Sequence, residues 1–256
     1  MLDRPAVHSP PATIDDVIAR LDEILAWSRQ SKSRLGYFAA LYRKVTVRVK
    51  DGIARGEFDD GPRMERLDII FAGRYLEAFD RYRAGETPTK PWQVAFEAAP
   101  MWWPIVLQHL LLGINAHINL DLGIAAAQTG PGAALSGLRG DFNRINEILA
   151  SLVDGVEDEL GKVWPLLKVL DWIGGRTDEQ IIHFSIERAR DEAWAFAQRV
   201  AGATEGERVA EIALAEARIA ALGRLIRRPG ILLGIVQRLI RLAELRSVRR
   251  IINILM

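Results

Sequence analysis

Apolar residues recur along most of this chain at three- and four-residue spacing, the period of a helix with one buried face. Leu35, Phe38, Ala39, Leu41, Tyr42 and Val45 make one such stripe, in a helix that starts at Ser31 or Ser33 and ends before Gly56. Leu67, Ile70, Phe71, Leu76 and Phe79 make the next, from about Arg63 to Arg83. Thr13, with Asp16 three positions later, reads as a capping box opening a helix to about Ser28. Turns are expected at Asp59-Asp60-Gly61-Pro62 and from Gly85 to Pro91. Pro91 suits the first turn of a short helix that Pro100 closes, and Pro104 precedes a long apolar one. Gln128 to Gly140 reads as an internal loop, with Asp141 placed to cap a helix running to about Gly161. Pro165 opens a short helix to Ile173, and Thr177 with Gln180 makes a capping box for a helix ending near Gly202. The remainder, 205–256, is rich in Ala, Leu and Arg and is broken at Pro229-Gly230. There is no internal repeat and no strand series. The expected fold is therefore all-α: a disordered lead over 1–12, one multi-helix domain over 13–204 with a central buried helix, and a basic amphipathic helical arm over 205–256 that packs on the domain or on a partner.

Two alternatives bear on the segment Met101 to Ala127. It approaches the length and apolarity of a membrane span, but Gln108, His109, Asn115, His117, Asn119 and Asp121 interrupt it, and an ionisable group in lipid costs roughly 2.5 kcal/mol or more. A buried helix of a folded domain is apolar all round and fits better. Ile114 to Leu122 also alternates apolar and polar residues as a half-buried strand would. A lone strand among helices would leave its backbone groups unpaired, so the segment is read as helix.

Composition narrows the chemistry. With 34 basic against 33 acidic side chains, the net charge of +1 makes no global case for nucleic acid. The chain has no cysteine, which excludes disulfides, thiolate metal sites and cysteine nucleophiles and leaves His, Asp and Glu as metal ligands. Asp3, Arg4 and three prolines precede any apolar stretch, an order unlike a signal peptide, so a cytoplasmic location is expected.

Wound at 100° per residue, Gln108, Asn115 and Asn119 share one face of the central helix, and His117 with Asp121 share the opposite one. Either the polar residues are structural hydrogen bonders, with Asn and Gln gripping carbonyls and Asp121 orienting His117, or the His/carboxylate pair four apart meets a ligand. His183 and Glu187 repeat that spacing on another helix, with Arg190 and Trp194 on the same stripe. Helix bundles build metal sites from such facing pairs. On this reading His117, Asp121, His183 and Glu187 are candidate ligands of a divalent zinc or iron. His117, Asp121 and Arg190 are the candidate catalytic residues, and Asn115, Asn119 and Asp141 line the bound group. His109 lies about 12 Å along the axis from His117 and is read as a core residue. No phosphate-binding glycine loop, His-Glu-x-x-His zinc motif or nucleophile elbow is present.

Tyr37-Phe38-Ala39-Ala40-Leu41-Tyr42-Arg43, Met64-Glu65-Arg66-Leu67-Asp68, the run from Gln108 through Asp121, Asp141-Phe142-Asn143-Arg144-Ile145-Asn146 and Arg190-Asp191-Glu192-Ala193-Trp194 together resemble an uncharacterised bacterial all-helical family, a domain of unknown function. The likeness spans roughly residues 15–200 and leaves the C-terminal arm outside. Its most specific part is Asn115-Ala116-His117-Ile118-Asn119-Leu120-Asp121. The resemblance implies a family and carries no activity or cofactor with it.

Two functions follow as expectations. One is a metal-dependent enzyme, a hydrolase or oxygenase, acting on a small-molecule substrate between helices, with a metal-free acid–base enzyme built on His117 and Asp121 as its variant. The other is a non-catalytic module that binds a partner, a second copy or an anionic membrane surface through its arm. Residues 221–256 hold eight arginines against Glu244 alone, so the segment carries +7 and the rest of the chain −6. Leu232, Ile235, Leu239, Leu242, Leu245, Val248, Ile252 and Leu255 would equally suit a helix-helix seam, the reading preferred for the arm.

Overall fold

The computed structural model describes residues 8–145, 186–244 and 247–256. Every regular element among them is helical: α1 (Ile14–Ser31), α2 (Gly36–Ala54), α3 (Gly61–Arg83), α4 (Lys90–Glu97), α5 (Val106–Ala116), a π-helical segment (His117–Leu122), α6 (Gly123–Thr129), a 3-10 segment (Gly132–Leu138), α7 (Ile186–Gly202), α8 (Glu205–Arg227), α9 (Ile231–Ala243) and α10 (Val248–Leu255). The fold is all-α, as the periodicity predicts. The Thr13 start signal acts as read, with Thr13 Oγ1 accepting from the Asp16 amide and Asp16 Oδ2 from the Thr13 amide; at the turn before α3 the Asp60 carboxylate accepts from the Arg63 amide.

The rod made by α5, the π segment and α6 is the axis of the molecule. It has the length and apolarity of a membrane span, but 83% of its most apolar window is buried inside the protein. Helices α2, α3, α4 and α8 pack against it, and α7 packs against the π segment and α6. Glycine permits close approach at Gly113 and Gly223, among other positions. A Cβ on Gly113 would lie 2.4 Å from Cδ2 of Phe38, and one on Gly223 would lie 3.2 Å from Val94 and 3.3 Å from Nδ2 of Asn115. The first lets α2 press an aromatic ring onto α5; the second lets α8 reach the central helix.

Three local expectations are revised. Gln128 to Gly140 is not an open loop, because Gly132–Leu138 winds into 3-10 helix and residues 139–145 continue as α-helix. Asp141 thus lies inside that helix and caps across space instead: its carboxylate accepts from the amides of Asp59 and Asp60 and from Arg63 Nη2, at the start of α3. Residues 8–12 are ordered against the body, with His8 Nε2 2.9 Å from Arg20 Nη1. The helices expected around Pro165 and Thr177 lie outside the described residues.

The C-terminal segment is integral to the core. Ala220, Ile251, Ile252 and Leu255 are buried in the same cluster as Phe38, Tyr75 and Trp92, and α10 packs on α1 and α2. The stripe predicted to form the seam divides. Ile252 and Leu255 are buried, whereas Ile235, Leu239 and Leu242 face outward. The inner face of α9 is polar because of what it meets. The Glu244 carboxylate accepts from the Val106 amide, Arg241 Nε donates to the Trp102 carbonyl, and Gln237 Nε2 donates to that of Trp103. The entry to α5 exposes backbone groups that leucine could not satisfy.

Candidate functional site

The centre of the π segment holds the most unusual chemistry in the molecule. Its wider turn follows the last turn of α5 directly and brings His117 and Asp121 onto one face, toward α2 and α3; π turns are rare and are enriched at functional sites. Both side chains are buried, at 3% and 1% exposure. Asp121 is held from two directions: Arg74 Nε donates to Oδ1 at 2.8 Å and Trp92 Nε1 donates to Oδ2 at 2.7 Å. His117 Nδ1 lies 3.4 Å from Oδ2. A carboxylate oxygen already accepting from Trp92 presents only lone pairs, so the imidazole hydrogen sits on Nδ1 and Nε2 carries a lone pair.

The ring of His117 is enclosed by aromatic residues. Phe71 stacks on it with centroids 3.5 Å apart and planes 7° apart, and Tyr42 meets it edge-on at 4.4 Å. Phe38, Trp92 and Tyr75 complete the cage at 5.6, 5.9 and 6.2 Å. Removing an imidazole from water disfavours its cation, and this outweighs the raising effect of Asp121, so the pKa of His117 is lowered and the ring is neutral near pH 7. Its Nε2 has no hydrogen-bond partner, and neither do Tyr75 Oη or Oδ2 of Asp68, all buried. Burial, with Glu65 nearby, pushes Asp68 up to about 7, so it is half protonated where the histidine is neutral. Desolvation first and Asp68 second raise Tyr42 well above its ordinary value, keeping its hydroxyl as a donor.

Arg74 joins this buried group to the surface. It lines a cleft of about 510 Å³ walled by His8 to Pro11, Arg20, Asp80, Arg81 and Gln128, while its Nε holds Asp121 behind that wall.

The family model for DUF5995, a family of unknown function, matches residues 14–229. The chain belongs to that family. The match includes α8, beyond the reach of the sequence resemblance, so that the DUF5995 fold takes in the helix gripped by the opposite face of the rod. No match to the chain was found among the curated proteins or the solved structures.

The other predicted residues are placed elsewhere. Asn115 Nδ2 donates to the Ile219 carbonyl, Asn119 Nδ2 donates to Asn115 Oδ1, and Gln108 Nε2 donates to the Ile226 carbonyl, so that this face of the DUF5995 rod holds α8. Asp141 has its oxygens taken by the start of α3. Arg190 is buried beside Phe142, donating to that carbonyl with its guanidinium 4.4 Å from the ring centroid, and neither contact is with the His117 cage. Desolvation lowers its pKa to about 9. His183 lies outside the described residues, as does the side chain of Glu187. Among the described residues no three His, Asp or Glu side chains are grouped to hold a metal ion. His109 is a core residue, edge-on to Tyr37 at 5.7 Å, with burial lowering its pKa to about 3.

Sequence reasoning missed Tyr42 and Trp92, whereas Asp68 and Arg74, with Glu65, could be read either as charges able to reach a site or as exposed helix charges. The signal for Arg74 and Asp68 was present: both are charged residues within one helical turn of the apolar stripe of α3. Nothing in the sequence joined Trp92 to Asp121, because that contact bridges separate helices.

Proposed function

We propose that the protein is an enzyme acting on a small polar molecule, with Nε2 of His117 as its reactive atom. The observation that carries this reading is a buried imidazole whose Nδ1 faces Asp121 Oδ2 at 3.4 Å and whose Nε2 has no hydrogen-bond partner. A purely structural network pairs its buried polar groups, since each unpaired one costs about 1–3 kcal/mol. Here Asp121 fixes the ring, Arg74 and Trp92 fix Asp121, and Nε2 is left as a base. The substrate enters by the cleft that Arg74 lines.

A divalent zinc or iron bound through Nε2 is the second reading, favoured by the same geometry, since metal-ligating histidines commonly donate their other nitrogen to a carboxylate. Asp121, with both oxygens engaged, would then position His117, and further ligands would come from His183 or Glu187. Nitrogen-15 spectra of the histidine rings of the full chain test the shared element. The expected result at pH 7 is Nδ1 protonated and Nε2 bare, with elemental analysis of the purified protein separating the base from the metal. A charged imidazolium, or the opposite tautomer, overturns both. Thermal-shift screening against small carboxylates, phosphates and amines should then give ligands that stabilise the wild type and leave His117→Gln unmoved.

A further inference from the structure

We infer that the outward row of α9 is a face that seats the protein on an anionic membrane surface; this stands independently of the chemistry at His117. The helix is amphipathic in reverse. Ile235, Leu239 and Leu242 are 51%, 62% and 58% exposed and fall within about 60° of one another around the axis. Directly opposite lie Gln237, Arg241 and Glu244, all buried and all hydrogen-bonded. Trp102 adjoins them, 59% exposed, its carbonyl accepting from Arg241 and its ring 5.7 Å from that guanidinium. An outward row of large apolar side chains flanked by an exposed arginine is what a helix lying in a lipid headgroup region presents.

Charge selects the occupant. Arg238 flanks the apolar row and is exposed, and Arg228, just before α9, is exposed as well. Glu244, the only acidic residue after position 220, is buried and engaged with Arg241 and the Val106 amide, so it offers the face no surface anion. A second copy would oppose this cationic face with an identical one, whereas anionic headgroups match it and accept the leucines beneath. The polar inner face also argues that the outward row is not a misplaced core: turning α9 over would bury Leu239 and Leu242 but abandon the Val106 amide and two carbonyls.

The test is sedimentation of the full chain with vesicles of phosphatidylcholine alone and of equimolar phosphatidylcholine and phosphatidylglycerol. Binding is expected to the second only. Leu239→Ser with Leu242→Ser should weaken it at least ten-fold while leaving the far-ultraviolet circular dichroism spectrum unchanged, since both side chains are exposed. Arg238→Gln should weaken it about five-fold and added salt should weaken it further. Failure of the wild type to bind the anionic vesicles overturns the inference. So does equal binding by the double serine variant, which would reduce the attraction to diffuse charge. A dimer in light scattering that the double serine variant dissociates, with no vesicle binding, would assign the face to a second copy and equally overturn it.

Discussion

Replacing Asp121 by asparagine tests whether the carboxylate organises the buried site. The side chain keeps its size but loses its charge and exchanges one acceptor oxygen for a donor. Three donors converge on the present carboxylate: Arg74 Nε, Trp92 Nε1 and His117 Nδ1. An amide oriented to accept from Trp92 turns its NH2 toward Arg74, and the reverse orientation opposes it to the indole. At least one buried donor is therefore stranded, at about 1–3 kcal/mol, and the charge assistance of the others is lost. Removing one member of a buried ion pair costs about 3–5 kcal/mol, but Arg74 keeps 23% exposure and can shed part of its charge into solvent. The two considerations together place Asp121→Asn at about 2–4 kcal/mol of lost stability. That lies within the reserve of roughly 5–15 kcal/mol of an ordinary domain, so the variant should fold. Urea unfolding followed by circular dichroism gives the number. Arg74→Gln in the Asp121→Asn background should cost less than it does in the wild type, by about 0.5–3 kcal/mol of coupling. A change within about 0.5 kcal/mol for Asp121→Asn, or strict additivity of the pair, would refute the argument that these groups form one network.

Stability should depend on pH in two opposed ways. His109 and His117 are held neutral in the fold, so below about 6.5 the unfolded chain binds more protons and stability falls with pH, for His109 down to about 3; His109→Leu should flatten this acid limb. Asp68 has the opposite sign: its raised pKa gives stability that is complete below 3.8 and lost as pH rises through about 7. Asp68→Asn should therefore be more stable than the wild type by a few kcal/mol at pH 8 and lose that advantage toward pH 4, read as melting temperature across pH. Gly113→Ala forces a Cβ to within 2.4 Å of Phe38 and should cost about 1–3 kcal/mol, whereas Gly73→Ala, with open space around it, should be nearly neutral. Ile252→Ala empties a fully buried position between α10 and α2 and should cost about 2–5 kcal/mol in the same unfolding assay.

By itself the sequence determined the helices, because the 3.6-residue period, the Thr13 capping box and the proline and glycine stops are local physics. It also marked the central rod as the place where polar groups are buried, since Gln108, Asn115, His117 and Asp121 interrupt an otherwise apolar run. Which polar face does what was decided only by tertiary structure. The Asn115 face meets the carbonyls of α8 and is consumed by them, while the His117 face meets α2 and α3 and is caged by their rings. The π turn at His117–Leu122 leaves no trace in the residue pattern, because a change of helical winding is settled by what packs around it. Asp141 and Asn119, singled out for their chemistry, turned out to satisfy backbone and side-chain groups that no sequence spacing could locate. Trp92 escaped notice for the same reason, since it reaches Asp121 from another helix. The arm shows the limit most plainly. Its apolar period predicts a helix, but the period cannot say which side faces inward, and at α9 the backbone groups at the start of α5 required polar partners and turned the leucines out.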